Sequence, residues 1–251
     1  MFAVSNDPVL LLHGQPGAAA DWQALRAALG DARQTIAVDR PGWDQRSAAT
    51  DLAGNARAAL ATLDGADISR ATIVGHSLGA AVAAWLACSS PRRVGRLVLV
   101  APAANVDSLG ALDYLLAVPV AGWLLSVGAM AGGGLLLGTG PVRRWVAEAT
   151  ALDERYLRAA GRMLLAPAAW RSFVREQRIL VRDLPGLERR LGVISTPTTI
   201  VAGRADHVVP IAAARHLARQ IPGAELVVVE GAGHLLHVQH AARLAELIAG
   251  T

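Results

Sequence analysis

A serine in the segment GHSLG, residues 75–79, has the surroundings of a nucleophile. Almost all of residues 71–75 before it are apolar and favour a strand, and the small residues after it favour a helix. A strand that turns at once into a helix holds the residue between them in a strained conformation, and glycines two positions away on either side relieve the crowding. This context predicts that the Ser77 hydroxyl projects from the carboxyl end of a sheet. The alternative is a structural serine in a glycine-rich turn.

A serine hydroxyl is a weak nucleophile at neutral pH, so it needs a base that removes its proton and an acid that orients the base. Asp206 follows the strand-like run TTIVA, and His234 follows the run ELVVV. Both residues are therefore expected at the carboxyl ends of strands, at the edge of the sheet where Ser77 lies. The order serine, aspartate, histidine along the chain is the order expected for this arrangement. Asp107, which follows another strand-like run, remains an alternative acid.

Strand-like and helical patterns alternate along most of the chain. The apolar runs typical of strands buried on both faces are residues 8–13, 34–39, 71–75, 96–101, 198–202 and 225–229. Helical patterns occupy residues 21–29, 51–63, 78–87, 211–220 and 241–249. This alternation predicts an α/β fold with a mostly parallel sheet and helices on both of its faces.

Residues 104–180 interrupt the alternation, with helical patterns separated by Gly and Pro and no strand-like run. Within them, residues 114–142 carry no charge and are long enough to span a membrane. Pro119 and several glycines divide this stretch, and a span here would place Ser77 and His234 on opposite sides of the membrane. We therefore predict a helical insertion whose apolar face covers a pocket for an apolar small-molecule substrate. Peripheral contact of this insertion with a membrane surface stays open as an alternative.

The composition bounds the class of protein. The chain has 251 residues, enough for one α/β domain, and 53% of them are hydrophobic, so a large core can form. The net charge is +4, and the basic residues are all arginines mixed with acids along the chain, which argues against a nucleic-acid partner. The single Cys88 excludes an internal disulfide and a cysteine metal cluster. The first residues lack a signal-peptide pattern, so we expect a cytoplasmic protein.

Five segments together resemble the α/β-hydrolase superfamily, from Pro8 to the carboxyl terminus. They are HGQPG at 13–17 with Trp22, DRPG at 39–42, GHSLG at 75–79, GRADHVVP at 203–210 and GAGHLLH at 231–237. The resemblance implies the α/β-hydrolase fold and a catalytic triad of Ser77, Asp206 and His234. These motifs are specific for the fold and the triad, and they do not select a substrate.

The same resemblance assigns further parts of the chain. Residues 13–15 correspond to the loop that completes an oxyanion hole, so the backbone N–H groups of Gln15 and Leu78 are its expected donors. His13 is then a structural histidine of that loop. Residues 104–180 correspond to a helical cap, inserted into a single domain whose core is formed by about residues 1–103 and 181–251. Family members begin with two further strands, so the sheet is expected to be shorter here, or the start of the chain incomplete.

The function expected from these residues is a serine hydrolase that cleaves carboxylic esters of apolar substrates through an acyl-enzyme, with no cofactor and no metal. His207, His216, His237 and His240 do not have the spacing of a metal site. The resemblance also admits carbon–carbon bond hydrolases, lactonases, thioesterases and cofactor-free haloperoxidases. A non-catalytic protein that binds a hydrophobic ligand, or an accessory protein, is a further alternative on this scaffold. No pattern in the sequence indicates an oligomeric state.

Overall fold

A parallel sheet organises residues 7–250, the part of the chain that the computed structural model describes. In chain order its strands are β1 Val9–Leu12, β2 Thr35–Val38, β3 Ala71–His76, β4 Val94–Val100, β5 Thr198–Gly203 and β6 Glu225–Val229. They lie side by side in the order β2-β1-β3-β4-β5-β6, and every neighbouring pair is parallel. The predicted α/β fold with a mostly parallel sheet is confirmed. The expectation about strands before β1 concerns residues 1–6, which lie outside the described residues.

The strands differ in burial according to their place in the sheet. β1, β3, β4 and β5 are buried at every position. β2 and β6 form the two edges, and their residues are mostly half-buried rather than covered on both faces as the apolar runs predict. An edge strand has no neighbour on one side, so an apolar run does not by itself indicate a central strand.

Helices connect the strands and cover both faces of the sheet. In chain order they are α1 Gln23–Leu29, α2 Leu52–Gly65, α3 Leu78–Ser89, α4 Ala111–Ala117, α5 Pro119–Gly138, α6 Gly140–Thr150, α7 Glu154–Leu164, α8 Pro167–Glu188, α9 Ile211–Gln220, α10 Leu236–Gln239 and α11 Ala241–Ala249. Successive side chains of a strand point to opposite faces. Leu10 and Leu12 therefore belong to the core that includes residues of α2, α3, α8 and α9, whereas Val9 and Leu11 belong to the core on the opposite face, which includes residues of α1 and α11.

Helices α4–α8 form a continuous insertion between β4 and β5, which we call the helical insertion (residues 111–188). No strand occurs among these described residues, as the sequence predicts. The insertion ends at Glu188, beyond the predicted boundary near residue 180, because α8 continues through Pro185. Leu184 and Leu187 are fully buried in the core on the carboxyl-terminal part of α8, so this helix belongs to the insertion at one end and to the core at the other. The division of the chain into a core and a cap stays a prediction.

Candidate active site

Ser77 lies between β3 and α3 with a φ of 52° and a ψ of −119°. A positive φ is strained for a residue that carries a side chain. Two glycines make this turn sterically feasible, because a Cβ on Gly75 would overlap the carbonyl of Gly79, and a Cβ on Gly79 would overlap the carbonyl of Leu12. The strained strand–turn–helix context that the sequence interpretation requires is therefore present at this serine.

Asp206 and His234 contact each other directly. The Nδ1 atom of His234 lies 2.9 Å from the Oδ2 atom of Asp206, and the Asp206 side chain is almost completely buried. The other carboxylate oxygen of Asp206 accepts hydrogen bonds from the backbone N–H groups of Val208 and Val209, at 2.8 and 2.9 Å. Two backbone donors thus hold the carboxylate. With a proton on Nδ1, His234 is a third donor, and the imidazole keeps its Nε2 lone pair as an acceptor.

The loops that carry these residues are joined to the serine turn through His76. Its ring Nε2 lies 2.9 Å from the backbone oxygen of His234, and the centroids of the two rings are 4.8 Å apart. His76 immediately precedes Ser77. The loop that carries Asp206 is joined to the loop that carries His234, since the N–H of Ala205 donates to the carbonyl of Ala232 at 2.9 Å. The three predicted triad residues therefore lie in one region at the carboxyl edge of the sheet.

The predicted oxyanion loop lies against the serine turn. A Cβ built on Gly14 would be 3.0 Å from the Cβ of Ser77 and 2.8 Å from the ring Nδ1 of His76, so the backbone before Gln15 passes directly beside Ser77. Leu78 is the first residue of α3. Its N–H therefore has no acceptor within the helix and lies at the positive end of the helix dipole. Both positions suit donors to a developing oxyanion.

His13 is fully buried, and both of its ring nitrogens have partners. Nδ1 lies 2.8 Å from the carbonyl oxygen of Gly14, and Nε2 accepts the backbone N–H of Arg40 at 3.0 Å. Burial, together with the charge of Arg40, holds the pKa of His13 well below its usual value. A neutral imidazole engaged at both nitrogens orients the loop and leaves no free nitrogen for a base.

A buried ion pair that the sequence interpretation missed supports this loop. Arg40 donates to both carboxylate oxygens of Glu176 on α8, and the two side chains are 1% exposed. The remaining guanidinium donors of Arg40 bond the carbonyl oxygens of His13 and Gly14, each at 2.8 Å, and the side chain of Asn55. Arg40 thus connects the predicted oxyanion loop to α2 and to the helical insertion. The ring N–H of Trp43 also donates to Glu176, at 2.9 Å.

Replacing Glu176 by glutamine is expected to lower the free energy of unfolding by about 3–5 kcal/mol, because the buried Arg40 charge then loses its counter-charge. Chemical denaturation of both proteins measures this difference. Glu230→Gln is the matched control, since Glu230 pairs with Arg204 at 2.7 Å on the surface, and exposed pairs contribute less than about 1 kcal/mol. Equal effects of the two substitutions would contradict the structural importance of the buried pair.

A further histidine, His237, packs beneath the site. Its ring is 3.9 Å from that of His76 and 4.9 Å from that of Trp22, measured between centroids. It is 1% exposed, and neither ring nitrogen has a hydrogen-bond partner among the described residues. Burial, with a smaller contribution from His234, lowers the pKa of His237 to about 3. Burial, His237 and His234 also hold the pKa of His76 well below its usual value.

These low pKa values predict loss of stability in acid. In the unfolded chain His237 has a pKa near 6.5, so between about pH 6.5 and pH 3 the unfolded state binds a proton that the native state excludes. The free energy of unfolding therefore decreases as the pH is lowered from about 6.5 to 3, by about 1.4 kcal/mol per pH unit for one site. His237→Phe is expected to reduce the slope by that amount, as measured by denaturation from pH 8 to pH 4. At pH 8, the difference in the free energy of unfolding between the two proteins reports the change in packing alone. An unchanged dependence of this free energy on pH in His237→Phe would contradict the prediction.

Asp107, His207, His216 and His240 are the remaining candidate residues. Asp107, the alternative acid, has its carboxylate 2.5 Å from the Nδ1 atom of His216 on α9, and its side chain is 53% exposed. His207 is exposed beside Asp206, and His240 lies between α10 and α11. Among residues 7–250, no group of three or more His, Cys, Asp or Glu side chains is arranged to hold a metal ion.

Residues 9–247 match the α/β hydrolase family, and the chain belongs to that family. A 2-hydroxy-6-oxononadienedioate/2-hydroxy-6-oxononatrienedioate hydrolase of Pseudomonas putida is 30% identical over 253 residues, which cover 96% of this chain and 86% of that protein. A 2-hydroxymuconate semialdehyde hydrolase of Pseudomonas sp. strain CF600 is 29% identical, with 96% of this chain and 85% of that protein covered. The crystal structure of a hydrolase from Pseudomonas aeruginosa PA01 has a TM-score of 0.75 at 25% identity, and covers 100% of this chain and 92% of that one. The resemblance found in the sequence is thus confirmed, and the names of these relatives support hydrolase activity.

Proposed function

We propose that this protein is a serine hydrolase that breaks a carbon–carbon bond next to a ketone in a small 2-hydroxy-6-oxo dienoic acid. One observation carries the proposal: the strained Ser77 turn adjoins the His234–Asp206 pair in a chain that aligns over nearly its whole length with a hydrolase named for a 2-hydroxy-6-oxo acid. The sequence interpretation preferred ester cleavage and held carbon–carbon bond hydrolysis as an alternative. The relatives favour that alternative.

In the first half of the proposed reaction, His234 accepts the Ser77 proton as the oxygen attacks the ketone carbon. Asp206 stabilises the imidazolium that forms. The ketone oxygen becomes an oxyanion, which the backbone N–H groups of Gln15 and Leu78 receive. Loss of one such donor typically costs about 3 kcal/mol of transition-state stabilisation.

The bond between the former ketone carbon and its neighbour then breaks and leaves an acyl group on Ser77. The substrate is cleaved in its keto form, in which the 2-hydroxyl proton has moved to the carbon next to the 6-oxo group, so the departing electron pair is delocalised through the remaining double bond onto the 2-oxo group. His234 returns its proton to that oxygen, so a 2-hydroxy dienoic acid leaves. Water, deprotonated by His234, hydrolyses the acyl-enzyme and releases the second product, a carboxylic acid.

Ester hydrolysis is the second candidate, supported by the same Ser77 turn and His234–Asp206 pair, which suit attack on the carbonyl carbon of an ester as well. Both reactions use the same nucleophile, base and oxyanion donors, because both attack a carbonyl carbon. They differ in the leaving group, which is an alkoxide in the ester and a delocalised carbanion in the ketone.

A paired assay separates the candidates. The purified protein is assayed on two kinds of substrate. Loss of the visible absorption of a 2-hydroxy-6-oxo dienoic acid measures carbon–carbon bond cleavage, and p-nitrophenyl esters from acetate to palmitate measure ester cleavage. We expect the higher kcat/KM on the dienoic acid. A higher value on an ester would select the second candidate. Absence of turnover together with absence of fluorophosphonate labelling at Ser77 would favour the non-catalytic alternative.

A further inference from the structure

Helix α5 exposes an apolar surface to solvent. It carries no charged side chain, and its buried positions form a narrow stripe of Gly122, Ser126, Met130 and Gly134. Most of the other side chains around helix α5 are exposed to solvent. With α4 it presents what we call the apolar face: Leu112, Leu115, Val118, Val120, Trp123, Leu124, Leu125, Leu135 and Leu136.

The concentration of these side chains is unusual for a protein surface. Apart from Val193 and Val208, the exposed large hydrophobic side chains of the described residues all lie between residues 112 and 165. Isolated exposed apolar side chains are normal, whereas a contiguous patch marks an interaction site. Helix α5 is 20 residues long, and its most apolar 18-residue segment has a mean hydropathy of 1.7, so it is long and apolar enough to span a membrane. Only 22% of that segment is buried within the protein. A core helix of the same composition would be mostly hidden.

The packing of α5 favours a helix that lies on a surface rather than one that crosses a membrane. A Cβ on Gly122 would overlap the carbonyl of Leu116 on α4, and one on Gly134 would lie 2.8 Å from the carbonyl of Gly161 on α7. These close backbone approaches hold α5 against its neighbours along its length. A span would have to break them, whereas docking on one side preserves them.

Next to the apolar face lies a row of positive charge. Arg171, Arg175, Arg178 and Arg182 are exposed on α8 at spacings of four, three and four residues, so they share one side of the helix. We call them the arginine row. They line a cavity of about 590 Å³ together with Trp123 of the apolar face. The charged and apolar surfaces therefore meet at one tryptophan.

The arginine row carries charge that the chain itself does not neutralise. Arg182 pairs with Asp183 at 2.6 Å, and Arg178 donates to the carbonyl of Pro119 at 2.7 Å. The side chains of Arg171 and Arg175 form no ion pair or hydrogen bond with another described residue. Asp51 also lines the cavity, and its charge acts on Arg182, so the four arginines face two carboxylates, those of Asp51 and Asp183. The row thus retains an excess of positive charge at the rim of the apolar face.

We propose that the apolar face and the arginine row together dock onto a bilayer that contains anionic phospholipids. Such a surface supplies both complements at once, since apolar side chains enter the boundary of the acyl chains and arginines contact the lipid phosphates. Tryptophan is enriched at this depth of a membrane, where Trp123 would lie. A two-fold contact with a second copy would bring another arginine row of the same sign to the interface. The proposal goes beyond the proposed function and holds for either substrate class.

Vesicle sedimentation tests the docking surface with the full chain. Binding to phosphatidylcholine vesicles is compared with binding to vesicles that also contain phosphatidylglycerol, at low and high salt. We expect binding to the anionic vesicles that weakens with salt. Arg171→Gln with Arg175→Gln should weaken it about twenty-fivefold, since each arginine near an anionic surface contributes about a fivefold change in affinity. Leu124→Ser with Leu135→Ser should weaken binding to a comparable extent.

The control is Arg215→Gln with Arg219→Gln, which removes the same charge from exposed positions on α9 and should leave binding close to that of the unmodified protein. Equal loss in the two arginine variants would overturn the proposal, because net charge alone would then explain binding. Failure to bind anionic vesicles would also overturn it. A dimer detected by sedimentation velocity would then indicate that a second copy covers the apolar face. Calorimetric binding of inorganic phosphate to the arginine row without binding to vesicles would likewise overturn the proposal and would make the cavity a site for a small anion.

Discussion

Replacement of Ser77 by alanine is expected to lower kcat by about a millionfold while the protein stays folded. The alanine keeps a Cβ in the strained turn, and Gly75 and Gly79 still provide the space it needs, so the sheet and α3 are unaffected. What disappears is the atom that bonds to the carbonyl carbon. Steady-state turnover on the better substrate of the paired assay measures the effect, and circular dichroism checks the fold.

Ser89→Ala is a matched control, because Ser89 lies exposed at the end of the same helix and its hydroxyl bonds the carbonyl of Trp85. It should retain turnover and fluorophosphonate labelling, whereas Ser77→Ala loses both. Full activity in a folded Ser77→Ala protein would disprove the nucleophile assignment and, with it, the acyl-enzyme mechanism for both candidate substrates.

The positions of the candidate triad were accessible from the sequence because they depend on local patterns. Each residue follows an apolar run, and the carboxyl ends of parallel strands meet at one edge of the sheet. Ser77 follows β3, Asp206 follows β5 and His234 follows β6, and the structure places β3 and β5 on either side of β4. Their catalytic roles remain predictions, which the variants described here test.

The Arg40–Glu176 pair could not be derived in the same way. The two residues are 136 positions apart, and their contact depends on how α8 packs over the sheet. One signal was present: Glu176 lies four residues from both Ser172 and Leu180, and all three are buried on one side of α8. A carboxylate on an inward-facing side of a helix requires a buried partner. The identity of that partner requires the tertiary structure.

The substrate is a different kind of unknown. In both candidate reactions the same atoms of Ser77, His234 and the predicted oxyanion loop would act on a carbonyl group, so these motifs do not discriminate between a ketone and an ester. Discrimination would have to come from side chains that contact the rest of the substrate, which the sequence predicts in the helical insertion. Periodicity does not reveal which of them face inward, and α5 illustrates this, because its apolar side chains are largely exposed rather than directed into a pocket.

Replacement of Asp206 by asparagine is expected to lower kcat by about ten thousandfold, as the loss of the orienting acid does in triads of this kind. The geometry explains why. The Oδ1 atom of Asp206 accepts the N–H groups of Val208 and Val209, so the asparagine oxygen would keep that position and direct its NH₂ group toward His234. The Nδ1 atom of His234 would then have to accept a hydrogen bond. The proton would move to Nε2, and the imidazole could no longer take the proton of Ser77.

Asp107→Asn is the matched comparison, since it makes the same chemical change in an aspartate that also contacts a histidine. Because Asp107 pairs with His216 on α9 and is largely exposed, its substitution should leave kcat close to that of the unmodified protein. Turnover of the two variants, measured at one pH on the same substrate, decides between the two acids. A larger loss in Asp107→Asn than in Asp206→Asn would transfer the orienting role to Asp107, and would require His234 to move away from the partner it has in this structure.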